Sequence, residues 1–217
     1  TGGRMRCHRV QPQRAVFSAP TIGLIGLIEH TDHITTQWFK DDGDVVFLIG
    51  ENNEHIGASE YLHTVFGENR GEVPPLDLQF ERKLQDTLLG AIRQGLVKSA
   101  HDVSDGGLAV ALGECCISNR ENQIGVTITL GDKMRADALL FGETQSRVVV
   151  SCAKEDADAF AKWFAEAGAP CRKIGTVGGK SLRIDRLVDQ RLETMADAWY
   201  NAMRRFMGEA EAAAPVK

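Results

Sequence analysis

Two carboxylates and a hydroxyl, Asp102, Ser104 and Asp105, stand within four residues, directly before a Gly106-Gly107 pair that opens an apolar run to Leu112. Glycines let a backbone approach a ligand closely. The first turn of a helix adds unpaired N–H groups at the positive end of the dipole. Such a turn can seat a phosphate through Ser104 and the Gly106 and Gly107 amides, with Asp102 and Asp105 holding a Mg²⁺ beside it. The same residues also suit a plain N-cap and a tight turn. Spacing alone leaves both readings open.

A second cluster, Gly142-Glu143-Thr144-Gln145-Ser146-Arg147, precedes the apolar run Val148-Val149-Val150. Glu143 can accept from an amide or take a metal, and Gln145 and Arg147 can meet a carbonyl or a phosphate. A solvated polar loop is the alternative. His101 adjoins Asp102, but neighbours on a strand point to opposite faces, so the pair is expected not to work as acid and base. No Gly-x-Ser-x-Gly elbow and no Gly-x-x-x-x-Gly-Lys-Ser/Thr loop occurs. Cys115 and Cys116 fall past the first turn of their helix with no nearby histidine pattern, which argues against a catalytic thiol.

Composition sets the class. Hydrophobic residues make 43% of the 217 and charged residues 25%, enough for one sizeable core or a core plus an arm. A net charge of −5 and the lack of a Lys/Arg-rich run argue against a nucleic-acid partner. No run approaches the roughly 20 apolar residues of a membrane span, and no signal-peptide core opens the chain. The five cysteines, an odd number without Cys-x-x-Cys spacing, read as reduced thiols packed in a cytosolic protein rather than as a zinc site.

Elements must position these clusters. Residues 1–19 are expected to form an irregular arm, with Arg4, Arg6, His8 and Arg9 giving no apolar period. Ile22 to Glu29 reads as a buried strand able to pair with Val45–Gly50 across the Asp41-Asp42-Gly43-Asp44 turn. Residues 51–79 are a long connection, of the kind that is often functional, with a short helix near Glu60 whose Tyr61, Leu62 and Val65 face inward. Phe80, Leu84, Leu88, Ala91, Ile92 and Leu96 make a helical stripe. A short strand at Ser99–Val103 runs into the Gly-Gly helix. Gly125–Leu130 and Ser146–Cys152 read as strands, Ala136–Phe141 and Ala157–Phe164 as helices, the latter closed by Gly168. Cys171–Gly178 and Leu182–Ile184 suggest a hairpin around Gly178-Gly179. Leu192 to Phe206 is a last amphipathic helix, and 208–217 a frayed tail. The whole reads as α/β: a mixed sheet with helices, the domain proper running over 20–207.

Ala100 to Leu112 resembles the "AHDVSDGGLAVAL" segment of phosphoribosylformylglycinamidine synthase, subunit II. Pro20 to Glu29, Gly57-Ala58-Ser59-Glu60-Tyr61 ("GGSEY"), Leu140 to Val150 ("LFGESQSRVVV") and Gly175 to Gly178 ("IGTVGG") resemble further elements of that family, in its order. The resemblance implies the C-terminal domain fold of aminoimidazole ribonucleotide synthetase, and a chain that is the last such copy of a longer ligase. It implies ATP and Mg²⁺ as cofactors, held mainly by domains outside this chain. The implied partners are those sister domains, a glutaminase subunit and a small bridging subunit, with a homodimer through an exposed face as a further expectation. It aligns a metal-contacting Asp of a companion copy with Asp102 and a substrate loop with Glu143, Thr144 and Gln145, in an auxiliary site. Joined to the reading above, this makes Asp102 and Asp105 the candidates for metal, and Ser104, Gly106, Gly107, Glu143, Thr144, Gln145 and Arg147 those for phosphate or substrate. It assigns no catalytic residue here, so the piece alone is expected to be inactive. A stand-alone Mg-nucleotide-binding module of the same superfamily is the alternative. One departure stands out: the family's "GGNVSFYNES" has Asn and Ser where this chain has Arg4 and Arg6. Residues 4–13 between two matching flanks read as a local frame change.

Overall fold

The computed structural model describes residues 23–208. The expected arm over 1–19, with its atypical residues, and the tail beyond Gly208 lie outside that range. Seven strands, β1 (Val45–Ile49), β2 (Ser99–Asp102), β3 (Val126–Ile128), β4 (Val148–Cys152), β5 (Cys171–Val177), β6 (Ser181–Ile184) and β7 (Val188–Arg191), form one mixed sheet in the order β2-β4-β1-β5-β3-β6-β7. Among the described residues six α-helices accompany it: α1 (Glu60–Phe66), α2 (Leu78–Arg93), α3 (Gly107–Ile117), α4 (Ala136–Phe141), α5 (Ala157–Ala167) and α6 (Leu192–Phe206).

β1 is apolar at every position because both of its faces are covered. Val46 and Leu48 pack toward α3, α4 and the start of α6, while Val45, Phe47 and Ile49 pack toward α2 and α5 through Leu84, Phe160 and Phe164. α3 shows the same logic in a helix: nine of its eleven residues are buried, so it is apolar all round rather than striped. α2 and α5 keep the expected one-sided stripe, and Gly168 closes α5 in the left-handed conformation. The thiols of Cys115, Cys116 and Cys152 are free and buried, and burial pushes Cys116 and Cys152 up to about 12.

Three sequence expectations are corrected. The segment from Gly23 to Glu29 is no strand: Leu24, Ile25 and Leu27 are 92%, 103% and 91% exposed, and nothing lies near Gly23 or Gly26. β1 has its two neighbours in β4 and β5, so the turn at 41–44 joins no hairpin. Apolar patterning reports what a segment can bury, and among the described residues nothing is placed to cover this one. In α1, Val65 points outward at 57% exposure. β5 and β6 are not a hairpin either. β3 lies between them, antiparallel to β5 and parallel to β6. The Gly178-Gly179 link wraps the start of β3, with Gly178 N–H donating to Gly125 O (2.7 Å) and Gly125 N–H to Gly179 O (3.0 Å). The true hairpin is β6–β7, turned through Asp185, which takes a positive φ of 46°.

The Gly-Gly pair is set by crowding as well as by turn geometry. Gly106 and Gly107 both lie in the left-handed region, at φ 81° and 72°. A Cβ on Gly107 would stand 2.7 Å from the Phe141 backbone and 2.8 Å from Gly142 O, so α3 begins wedged against the end of α4. Gly107→Ala is therefore expected to cost about 2–4 kcal/mol, the sum of left-handed strain and forced separation of the two helices. Urea unfolding measures it, and a loss below about 1 kcal/mol would mean that the wedge relaxes freely.

Candidate functional site

The two chemistry-bearing clusters, about forty residues apart in the chain, meet because β2 and β4 are adjacent and antiparallel, with Asp102 opposite Val148. A cavity of about 390 Å³ opens at that end of the sheet. Asp102, Ser104 and Asp105 line one side, Glu143, Gln145 and Arg147 another, and Glu81 and Gln85 of α2 a third. The turn at the end of β2 thus faces the loop that enters β4.

Glu143 holds this corner together. Its Oε1 accepts from Gly106 N–H (2.8 Å) and from Glu60 N–H (2.8 Å), tying the Gly-Gly turn to the start of α1. Gly107 N–H donates to Ser104 O at 3.0 Å. Both glycine amides considered for a phosphate therefore already have partners within the chain. Around Glu143 the rest of the loop is anchored in sequence order. Thr144, 7% exposed, shares a hydrogen bond with Asn53 Oδ1 (2.7 Å), and Ser146, at φ 60°, donates to Glu81. Arg147 is 3% exposed and spends its guanidinium on Thr144 O (3.2 Å), Asn52 Oδ1 (2.9 Å) and Gly142 O (2.5 Å). Burial lowers its pKa to about 10, opposed by the Glu143 charge, and leaves it protonated at neutral pH.

Asp102, Ser104, Asp105 and Gln145 are exposed at the cavity. With Gln85 of α2, these are polar side chains of the site open to a ligand, whereas Glu143, Thr144 and Arg147 frame it. Asp102 and Asp105 offer two carboxylates. Among the described residues no group of three His, Cys, Asp or Glu is placed to hold a metal ion.

Strand geometry leads one to expect that His101 and Asp102 do not meet, yet their side chains come within 3.4 Å, and the shorter contact of His101 is with a partner the sequence reading did not select. His101 Nε2 lies 2.5 Å from Glu114 Oε2, the one charged residue of α3, while Asp102 sits farther from Nδ1, at 3.4 Å, and is 73% exposed. Burial depresses the His101 pKa, but the hydrogen bond and charge of Glu114, with help from Asp102, outweigh it and raise the pKa above its usual value. A lone carboxylate on an otherwise apolar helix is the signal that could have found this pair. Asn52, Asn53 and Glu81 were also missed. The first two sit in the connection marked as functional by its length alone, and Glu81 lies on the polar side of a helix read for its apolar stripe.

A mixed seven-stranded sheet covered by helices makes the described residues an α/β domain. Residues 41–185 match the family described as AIR synthase related protein, C-terminal domain, and the chain belongs to that family. It is 38% identical over 221 aligned positions to the phosphoribosylformylglycinamidine synthase subunit PurL of Anaeromyxobacter sp. (strain Fw109-5), covering 97% of this chain and 29% of that protein. The subunit of the same name from Symbiobacterium thermophilum is 42% identical over 179 positions, covering 82% of this chain and 23% of the relative. The chain thus spans less than a third of the length of these relatives. Among solved structures, T. maritima PurL complexed with FGAR superposes with a TM-score of 0.63 at 17% identity, covering 76% of this chain and 30% of that one. At that identity the likeness establishes the fold.

Two outcomes are expected. Glu143→Ala, which strips a charged acceptor from two amides, should cost about 2 kcal/mol in urea unfolding, and Glu143→Gln, which keeps an oxygen there, about half that. An Ala variant as stable as the parent would show that Glu143 holds nothing together. Because the folded-state pKa of His101 is raised, its contribution to stability is complete below the ordinary value near 6.5 and fades as pH climbs through the raised one. Thermal stability should therefore fall from pH 6 toward pH 8.5, and Glu114→Gln should flatten that fall. An unchanged slope in the variant would dismiss the pair.

Proposed function

We propose that this chain is one domain of a phosphoribosylformylglycinamidine synthase, the ATP-dependent ligase that converts formylglycinamide ribonucleotide to its amidine with glutamine-derived ammonia. The observation that carries the reading is the nearly end-to-end alignment with PurL relatives, 97% of this chain at 38% identity. In that reaction the amide oxygen takes the γ-phosphoryl group of ATP and ADP leaves. Ammonia then adds at the activated carbon, and phosphate departs as the amidine forms.

The site suits an auxiliary role. Asp102 and Asp105 supply the one or two carboxylates that Mg²⁺ takes when phosphates and waters complete its shell. Bound there, the ion would neutralise phosphate charge. Ser104 and Gln145 are the open donors for an anionic ligand. Gly106 and Gly107 shape the turn, and Glu143, Thr144 and Arg147 keep the cavity wall rigid. ATP is held mainly by other domains of the longer protein. The glutaminase and small bridging subunits are partners of that whole protein; a solved relative is the structure of PurLQS from Thermotoga maritima.

On this reading the chain alone forms no amidine from formylglycinamide ribonucleotide, ATP and ammonia, as measured by phosphate release and product analysis. Turnover by the chain alone would overturn its place as a non-catalytic part. Mg²⁺-dependent nucleotide binding by the isolated chain, abolished in Asp102→Ala, would favour a free-standing nucleotide module instead.

A further inference from the structure

Residues 56–72 close on themselves more tightly than on the domain. Ala58 N–H donates to Arg70 O (2.8 Å), and the backbones of Gly57 and Gly71 touch, since a Cβ on Gly71 would stand 2.6 Å from Gly57 Cα. Ser59 caps α1 and donates to Ile56 O (2.6 Å), while Gly67 ends the helix in the left-handed conformation. His63 Nδ1 lies 3.0 Å from Asn69 Oδ1. The segment is a compact loop whose ends meet. Its hold on the sheet is thin. No residue of α1 is buried, and Leu62, Val65 and Phe66 belong to neither core cluster. Among the described residues, one hydrogen bond and one aromatic stack tie it to the rest: Glu60 N–H to Glu143 Oε1 (2.8 Å), and the Tyr61 ring on Phe141, with centroids 4.8 Å apart and planes at 2°. A segment with so few buried apolar contacts opens at a lower free energy than the core.

We propose that residues 56–72 are a flap, latched on Glu143 and Phe141, that opens as one cooperative unit while the sheet stays folded. A helix of seven residues is not stable alone in water, so a released flap loses α1. The closed base of the loop makes the unit open together rather than fray from one end. The latch also connects the flap to the cavity. The oxygen that takes the Glu60 amide takes the Gly106 amide as well, and Gly107 is wedged against the backbone of Phe141. Opening leaves Glu143 with one donor in place of two and uncovers a face of the Phe141 ring. The state of the flap thus reaches a cavity that the flap does not line. The device rests on no step of the reaction proposed above.

Hydrogen exchange of the whole 217-residue chain, followed by NMR at several urea concentrations below unfolding, is the test. The amides of Ala58, His63, Gly67 and Glu68 report on the flap, and those of β1 on the sheet. The four flap amides should share one opening constant, about 100-fold or more above that of β1 and nearly independent of urea. Glu60→Pro removes the donated amide at the first helical position, where proline is well tolerated. Ser59, at ψ 154°, already has the extended backbone that precedes a proline. Glu60→Ala loses the same side chain but keeps the amide. The proline variant should open about tenfold more often than the alanine variant, the weight of one hydrogen bond to a charged group. Tyr61→Ala, which removes the stack, should also raise the opening constant. Flap amides that exchange only together with β1, or each at a rate of its own, would overturn the proposal. So would equal exchange in the proline and alanine variants, or a Tyr61→Ala flap as protected as the parent.

Discussion

One carboxylate oxygen, Glu143 Oε1, accepts from amides that lie 37 and 83 residues away in the chain. It joins the start of α3, the start of α1 and the loop into β4. A charge-assisted contact of this kind in a half-buried corner is worth more than a neutral hydrogen bond, and it places negative charge where α3 presents its positive end. The neighbouring ties follow from it. Once the loop is pinned, Arg147 can bury its guanidinium among backbone carbonyls and Asn52, and Thr144 can reach Asn53. The turn that looks built for a foreign anion is held by one of the chain's own.

That arrangement separates two roles the sequence could not separate. In the linear reading Asp102 and Asp105 were metal candidates, Gln145 and Arg147 candidates for a carbonyl or phosphate, and Glu143 an acceptor for either an amide or a metal, of which the amide holds. Folded, they divide by exposure. Asp102, Ser104, Asp105 and Gln145 open on the cavity, while Thr144 and Arg147 are buried and Glu143 is spent on two amides. A buried arginine with three partners in its own chain has little left for a ligand, since each donor given up would leave an acceptor unpaired.

The fold was legible where pattern and burial coincide within the chain. β1, α2, α3, α4 and α5 sit where their apolar patterns put them, because each buries that pattern against the sheet, and α6 forms where expected although only its first turns are covered. The clustering of the two site segments was legible from their composition, though the β2–β4 adjacency that unites them was not. Pairings fared worst. A period of two tells which face of a strand is apolar but not which strand lies beside it, so β5 and β6 looked like a hairpin although β3 separates them. β7 was missed because Val188-Asp189-Gln190-Arg191 is an edge strand with mostly exposed residues, and such an edge is polar by need.

The segments that break the link between pattern and burial share a property. Leu24 to Ile28, Val65 to Leu78, and Trp199 to Met207 all carry large apolar side chains that stand exposed, yet the core beneath them is closed, with Phe39, Leu48, Phe160 and Phe164 at 1% exposure or less. A core left short of material would show exposed residues at its own seams. Here the surplus lies outside a completed core, on the outer segments and on the outer half of a helix. Apolar surface of that kind is costly in water and has value only when something covers it. The sheet and its two helical layers thus close the core without the surplus apolar side chains of the outer segments. The same physics that makes β1 apolar on both faces makes α6 apolar past the end of its support.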